Sequence, residues 1–274
     1  MSSEIIPNKD LGSDIDPETG NFIKSGPESI PDEEKAHILK YMHEILRKVG
    51  LKSEDLSGKK VLDLGSSTRE LEVGAKLERI DTQIVSLDIK KDRLAEYKEP
   101  ERRAVVGDAS NLPFKEESFD LVISNSGPLI EGPYSDKGLK RHEEALRVAK
   151  AGGEIRESRA FFGEGGISYY CYHIQKMGES AEVRSQLDSL VLEDERIEEE
   201  ELERDKNGCI IPVGMGNFAW QIFVAHLPIE KQQEIYGDIR DDLADKLSVR
   251  ADVDLINVNP DYPVYWPALI LRKK

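Results

Sequence analysis

Between residues 59 and 162, short apolar runs alternate with amphipathic stretches, and this rhythm predicts the elements one after another. KKVLDLG, QIVSLDI, RAVVGDA and FDLVISNS are apolar almost throughout, as strands covered on both faces must be. Between them, STRELEVGAKLERI and KKDRLAEYKE carry helical spacing. GLKRHEEALRVAKAGG predicts a further helix that ends on its two glycines, and GEIRESRAFF a fifth strand. Short buried strands alternating with helices specify an α/β architecture with a mainly parallel sheet and helices on both faces.

Outside this core the pattern changes. DEEKAHILKYMHEILRKVG, 32–50, sets Ile38, Tyr41, Met42, Ile45, Leu46 and Val49 in one helical stripe. Asp32 is placed to cap that helix, Arg47 and Lys48 fill its last turn, and Gly50 ends it. Residues 1–31 are rich in Pro, Gly, Ser, Asp and Asn and predict an irregular arm, with Ile5, Ile6, Phe22 and Ile23 to pin it to the body. Residues 163–226 read as an insertion or lid: a helical part, the acidic run EDERIEEEELERD as a solvated helix face, and the strand-like CIIPVG and WQIFVAHL. Residues 227–274 close the core with an amphipathic helix, EKQQEIYGDIRDDLADKL, and two strands, DVDLINV and YWPALILRK, paired antiparallel near one edge of the sheet. The 32–162 segment therefore holds the N-terminal helix and a Rossmann-like, doubly wound core.

Charge and cysteine count narrow the function classes. The 274 residues carry 54 acids against 38 Lys and Arg, a net charge of −16. Such a field repels phosphate backbones, so nucleic acid is a poor partner, and the short basic runs at 90–93 and 101–103 do not reverse that. No apolar run approaches the ~20 residues that span a membrane, and MSSEIIPNKD lacks the basic-then-apolar pattern of a secretory signal. Two cysteines, Cys171 and Cys209, are too few for a disulfide framework or a structural zinc site. The expectation is a cytoplasmic protein with no metal and no membrane partner.

In an open α/β sheet, ligands bind beyond the carboxyl ends of the strands. The residues just past the first four strands are Asp63, Gly65, Ser66 and Ser67; then Asp88; then Gly107, Asp108 and Ala109; then Ser124, Asn125 and Ser126. Gly65 lets the backbone turn tightly beside a ligand. Asp88 follows it at about the 20-residue spacing of an acid that takes both hydroxyls of a ribose. Asp108 is placed to accept from an exocyclic amine. Three acids without clustered basic residues suit a nucleoside cofactor that has no phosphates.

The segments VLDLGSST, VSLDIK, GDASNLPFKEESFDLVISNS and HEEALRVAKAGGEI resemble, in order and spacing, class I S-adenosylmethionine-dependent methyltransferases of the type called methyltransferase type 11. The resemblance covers about 59–157. It implies S-adenosylmethionine as cofactor, with Asp63 and Gly65 flanking its methionine part and Asp88 on the ribose. It also places Ile89 against the adenine, Asp108 and Ala109 at the adenine edge, and Asn125 and Ser126 on the floor near the transferable methyl.

Ser67 and Arg69 stand where that family usually has glycine. The Ser67 hydroxyl is small enough to fit and able to donate to a carboxylate. Arg69 has three possible fates: to crowd the cofactor, to point outward, or to clamp the methionine carboxylate. The loop is accordingly an adapted, a weakened or a lost site. Asp88 and Asp108 favour a working one, against the simpler reading that each caps the helix after it.

The run Asn125-Ser126-Gly127-Pro128 lacks the Asn/Asp-Pro-Pro-aromatic pattern of amino-directed nucleic-acid methyltransferases, which points to a small-molecule acceptor. Glu131 and Tyr134, in the loop that follows, are candidates to touch it. No catalytic base stands out. His142 reads as a surface residue, His173 as part of the packed aromatic stretch with Tyr169, Tyr170 and Tyr172, His37 and His43 as members of the first helix, and His226 as core. The rival reading is a non-catalytic methyltransferase fold that serves as a binding or scaffold module, with the acidic 193–205 segment as its partner surface. A nicotinamide-dependent oxidoreductase ranks last, since the G-x-G-x-x-G fingerprint is absent.

Overall fold

The computed structural model describes residues 4–5, 30–94, 104–129, 136–158, 203–204, 210–211, 250–258 and 267–274, with positions 233, 237, 240, 241 and 244–247. In chain order these give β1 (Glu4–Ile5), α1 (Asp32–Lys48), a 3-10 turn (Ser53–Leu56), β2 (Lys60–Leu64), α2 (Glu70–Leu77), β3 (Gln83–Asp88) and α3 (Lys91–Leu94). There follow β4 (Ala104–Val106), β5 (Phe119–Asn125), α4 (Asp136–Val148), β6 (Ala149–Ser158), β7 (Glu203–Arg204), β8 (Ile210–Ile211), β9 (Ala251–Asn257) and β10 (Pro267–Lys273).

The main sheet runs β1-β4-β3-β2-β5-β6-β10-β9. Strands β4, β3, β2, β5 and β6 are parallel. Strand β10 runs antiparallel to both β6 and β9, which makes it the expected reversed strand near one edge. The chain leaves β2 toward β3 on one side and later returns to β5 on the other. The crevice of a doubly wound sheet therefore opens at the carboxyl ends of β2 and β5.

Alternation along the strands sorts side chains onto two layers. Val61, Ile84, Leu121 and Ile123 pack with Met42, Ile45 and Leu46 of α1, with Val49 just past its end, and with Leu71 and Ala75 of α2. Leu62, Leu64, Val85, Leu87, Val122, Ile155 and Leu269 face the other way, onto Ala145 and Leu146 of α4 and Leu247. With both faces covered, β2, β3 and β5 are buried almost residue by residue, the physical basis of their near-continuous apolar sequence. Gly74 brings α1 onto α2: a Cβ there would stand 2.7 Å from the sulfur of Met42.

Several local expectations are corrected. Pro31, not Asp32, occupies the cap position of α1 and supplies no side-chain hydrogen bond; Asp32 lies in the first turn and pairs with Lys35 at 2.9 Å. Tyr41 sits at the edge of the α1 stripe and is 39% exposed. Helix α4 ends at Val148, and the residues Ala149–Gly153 belong to β6. The pairing with β5 jumps from Phe119–Ala149 to Leu121–Glu154, a bulge that absorbs the two glycines. Glu4 and Ile5 pair with Val106 and Val105, so the arm contributes a short antiparallel edge strand. All described positions from 233 to 247 are helical, within the expected C-terminal helix. WQIFVAHL, most of 163–226 and the rest of the arm up to residue 29 lie outside the described residues.

Candidate active site

Two hydrogen bonds to one carbonyl start the first loop: the amides of Gly65 and Ser66 donate to Leu87 O at 2.8 and 3.1 Å. Gly65 has φ +74°, and a Cβ there would lie 2.9 Å from Pro128 Cδ and 3.0 Å from Gly127 Cα. Only glycine lets the loop after β2 lie against the loop after β5. Ser67 and Arg69 keep the left-handed backbone at φ +47° and +70° without being glycine. Each such residue costs about 1–2 kcal/mol, which the surroundings must offset.

The surroundings do so through side chains. Ser67 N donates to Asp88 Oδ2 at 3.0 Å. Arg69 is fully buried and turned beneath the loop, not outward; it lines neither cavity described below. Its Nε and Nη2 contact Glu72 Oε2 at 2.9 and 2.7 Å. The same Oε2 accepts the Ser86 hydroxyl of β3 at 3.0 Å, while Oε1 accepts Lys76 at 3.2 Å.

Two cavities meet at this loop. One, of about 300 Å³, is lined by Gly65, Asp88, Ile89, Asp108, Ala109, Ser126 and their neighbours. The other, of about 320 Å³, is lined by Asp63, Gly65, Ser66, Ser67, Asn125, Ser126 and others, including Tyr41 and Lys48 of α1. Their linings share Gly65, Arg93 and Ser126. All nine residues expected from the sequence (Asp63, Gly65, Ser67, Asp88, Ile89, Asp108, Ala109, Asn125 and Ser126) line one or both. Ile89 is an apolar side chain left 63% exposed inside the first cavity. Ser66 lines the second, and its Oγ is buried with no hydrogen-bond partner among the described residues.

The acids differ in state. Asp63 is pushed up to about 8, chiefly by burial and further by Glu70, Glu72 and Asp88, so at neutral pH it favours the uncharged form. Asp108 is held below the usual carboxylate range because Ser110 N donates to it at 2.9 Å. Asp88 Oδ1 accepts Lys90 N at 2.9 Å, in addition to the Ser67 bond on Oδ2. Asp88 and Asp108 thus each hold the backbone turn that follows their strand.

On the β5 side the floor is neutral. Ser158 Oγ donates to Asn125 Oδ1 at 2.7 Å and accepts Ser126 N at 3.1 Å. Ser158 falls in the middle of the expected fifth strand GEIRESRAFF, so reading the residues past that strand does not reach it; the described strand β6 ends on it. Tyr41, Arg93 and Arg141 line the cleft itself, without a signal in the sequence that sets them apart.

His142 is a correction: it is fully buried, not a surface residue. Its Nδ1 donates to Gly138 O at 2.8 Å, and its Nε2 lies 3.2 Å from Glu157 Oε2. Burial pushes the Glu157 carboxyl up against the opposing influence of His142. Glu131, Tyr134, His173 with its tyrosines, His226, Cys171 and Cys209 lie outside the described residues. Among the described residues, no group of three His, Cys, Asp or Glu side chains is placed to hold a metal ion, and no helix is long and apolar enough to cross a membrane.

Comparison with known proteins agrees with the geometry. Residues 62–156 match the methyltransferase domain family, type 11. No curated protein matches the chain in sequence. Among solved structures, a protein from Pyrococcus horikoshii is similar at 16% identity and a TM-score of 0.45, over 89% of this chain and 92% of that one. An S-adenosylmethionine-dependent methyltransferase from Methanosarcina mazei is similar at 17% identity and a TM-score of 0.36, over 78% and 92%. Likenesses this distant carry no argument about the reaction; the matched segment and the strand order do carry one about the domain. Residues 62–156 form a class I methyltransferase domain, the class whose cofactor is S-adenosylmethionine.

Proposed function

We propose that the protein is an S-adenosylmethionine-dependent methyltransferase acting on a small molecule. The observation that carries this reading is the cleft itself: two cavities at the carboxyl ends of β2 to β5, joined through Gly65, Arg93 and Ser126. The donor set fits the cofactor. Ile89 offers an apolar surface to the adenine, and the charged Asp108 accepts from the exocyclic amine. Asp88 keeps lone pairs for the ribose hydroxyls beyond its two amide bonds. Asp63 and the unpartnered Ser66 hydroxyl face the methionine half.

S-adenosylmethionine supplies a methyl group already activated on a sulfonium. The chain's own task is then to align an acceptor, exclude water and hold the methyl-bearing half over Asn125 and Ser126. The small-molecule acceptor follows from the net charge of −16 and from the sequence Asn125-Ser126-Gly127-Pro128. The same charge and the two cysteines fit a cytoplasmic enzyme.

A non-catalytic module is the second reading. It is favoured by the structural work of Asp88 and Asp108, each of which already serves a backbone turn. Calorimetric titration with S-adenosylmethionine and S-adenosylhomocysteine separates the two. The enzyme reading expects micromolar binding of both; a folded protein that binds neither is a scaffold.

A further inference from the structure

We infer that Arg69 is a positioning residue that fastens the glycine-poor cofactor loop to β3. The inference rests on the proposed reading of the cleft and deepens it. A long side chain on a left-handed turn beside the cleft would be expected to fill the pocket or remove its turn. Neither has happened. The backbone at Arg69 stays left-handed at φ +70°, and the side chain runs under the loop into full burial.

There the guanidinium meets Glu72, itself 3% exposed, through Nε and Nη2 on one carboxylate oxygen. That oxygen also accepts Ser86 Oγ, on the strand that ends at Asp88. Besides the Gly65 and Ser66 amides on Leu87 O, side chains tie the loop to β3 in two places. One tie is Ser67 N to Asp88 Oδ2, in the cleft lining; the other is Arg69 through Glu72 to Ser86, all three buried. Arg69 and Lys76 also neutralise Glu72, whose negative charge acts on Asp63 in the second cavity. The buried ion pair thus gives the left-handed turn a tie to β3 that conformational freedom at this position would not supply.

The test compares Arg69→Ala, Arg69→Gly and Arg69→Lys. Arg69→Gly removes backbone strain while deleting the side chain, so it separates the two contributions. Two readouts are needed: the affinity for S-adenosylhomocysteine, and the hydrogen-exchange rate of the Ser67 amide in the unliganded protein. Deletion in either form is expected to weaken binding and to speed Ser67 exchange by about tenfold or more, with Arg69→Lys restoring part of both. Should the deletions fail to fold, Ser86→Ala cuts the same tie more gently and should move both readouts in the same direction.

If Arg69→Gly binds and exchanges like the wild type, the proposal is wrong. So it is if the variants lose only thermal stability. A wild-type protein that binds no S-adenosylhomocysteine, with Ser67 exchange still accelerated in the variants, removes the cofactor reading and leaves the tie to β3 standing.

Discussion

The β2–β3 side of the cleft is held by carboxylates and the floor of the β5–β6 side by hydroxyl and amide groups, with Arg141 on the Pro128 carbonyl beside it. On the first side, Asp88 takes two backbone amides and Glu72 takes Arg69, Ser86 and Lys76. On the second, Ser158 bridges Asn125 and the Ser126 amide, with the buried His142–Glu157 pair behind it. The contrast suits the chemistry proposed for each half. Ribose, adenine and ammonium groups are hydrogen-bond donors that carboxylates recognise, whereas a methyl in transit needs a floor that offers no competing nucleophilic anion.

The largest test of this division acts on both halves at once. Gly65→Val adds a side chain at φ +74° against Pro128 and Gly127. It should abolish detectable cofactor binding and lower stability by about 2–4 kcal/mol, measured by titration and by denaturant unfolding.

The next test sets one side against the other. Asp88→Ala should weaken S-adenosylhomocysteine binding by ~1–3 kcal/mol, the scale of hydrogen bonds to charged groups. His142→Leu leaves the buried Glu157 without its partner and should cost ~1–3 kcal/mol of folding stability. Its effect on affinity should be small, because His142 lines neither cavity. If His142→Leu impairs binding as much as Asp88→Ala does, the two halves are not separable.

The last test is a slope, small at any single pH step. The Asp63 carboxyl titrates near 8 when folded, against an ordinary value of 3.8. The folded state therefore holds a proton that the unfolded chain has released, and this contribution to stability falls as pH rises from about 4 to about 8. The loss is at most ~1.4 kcal/mol per pH unit. In Asp63→Asn the stability–pH curve between those limits should be flatter than in the wild type, while below pH 4 the two curves should run parallel. An unchanged slope would mean that Asp63 is not held neutral in the folded protein.

The legible parts of the molecule were those fixed by period. Strands covered on both faces must be apolar throughout, so β2, β3 and β5 stood out, and the residues after them fell on one rim by topology alone. The fate of Arg69 was not legible, because a long side chain leaving a turn can reach several partners and the sequence does not select Glu72 among them. His142 was legible in principle. Gly138, His142, Ala145 and Leu146 lie on one face of α4 and all are buried; the polar residue type argued outward while the spacing argued inward, and the spacing was right. Tyr41 erred in the opposite direction, at the edge of a stripe whose centre is Met42 and Ile45. Asp32 shows a third limit: an acid at the start of a helix is favourable both as cap and in the first turn, and sequence does not separate the two.

The most direct measurement is a crystal structure of the protein grown with saturating S-adenosylhomocysteine. The account predicts one molecule spanning both cavities, with adenine against Ile89, ribose hydroxyls on Asp88, the thioether above Asn125 and Ser126, and Arg69 still buried on Glu72. Density for the ligand elsewhere, or a cleft left empty at saturation, would contradict it.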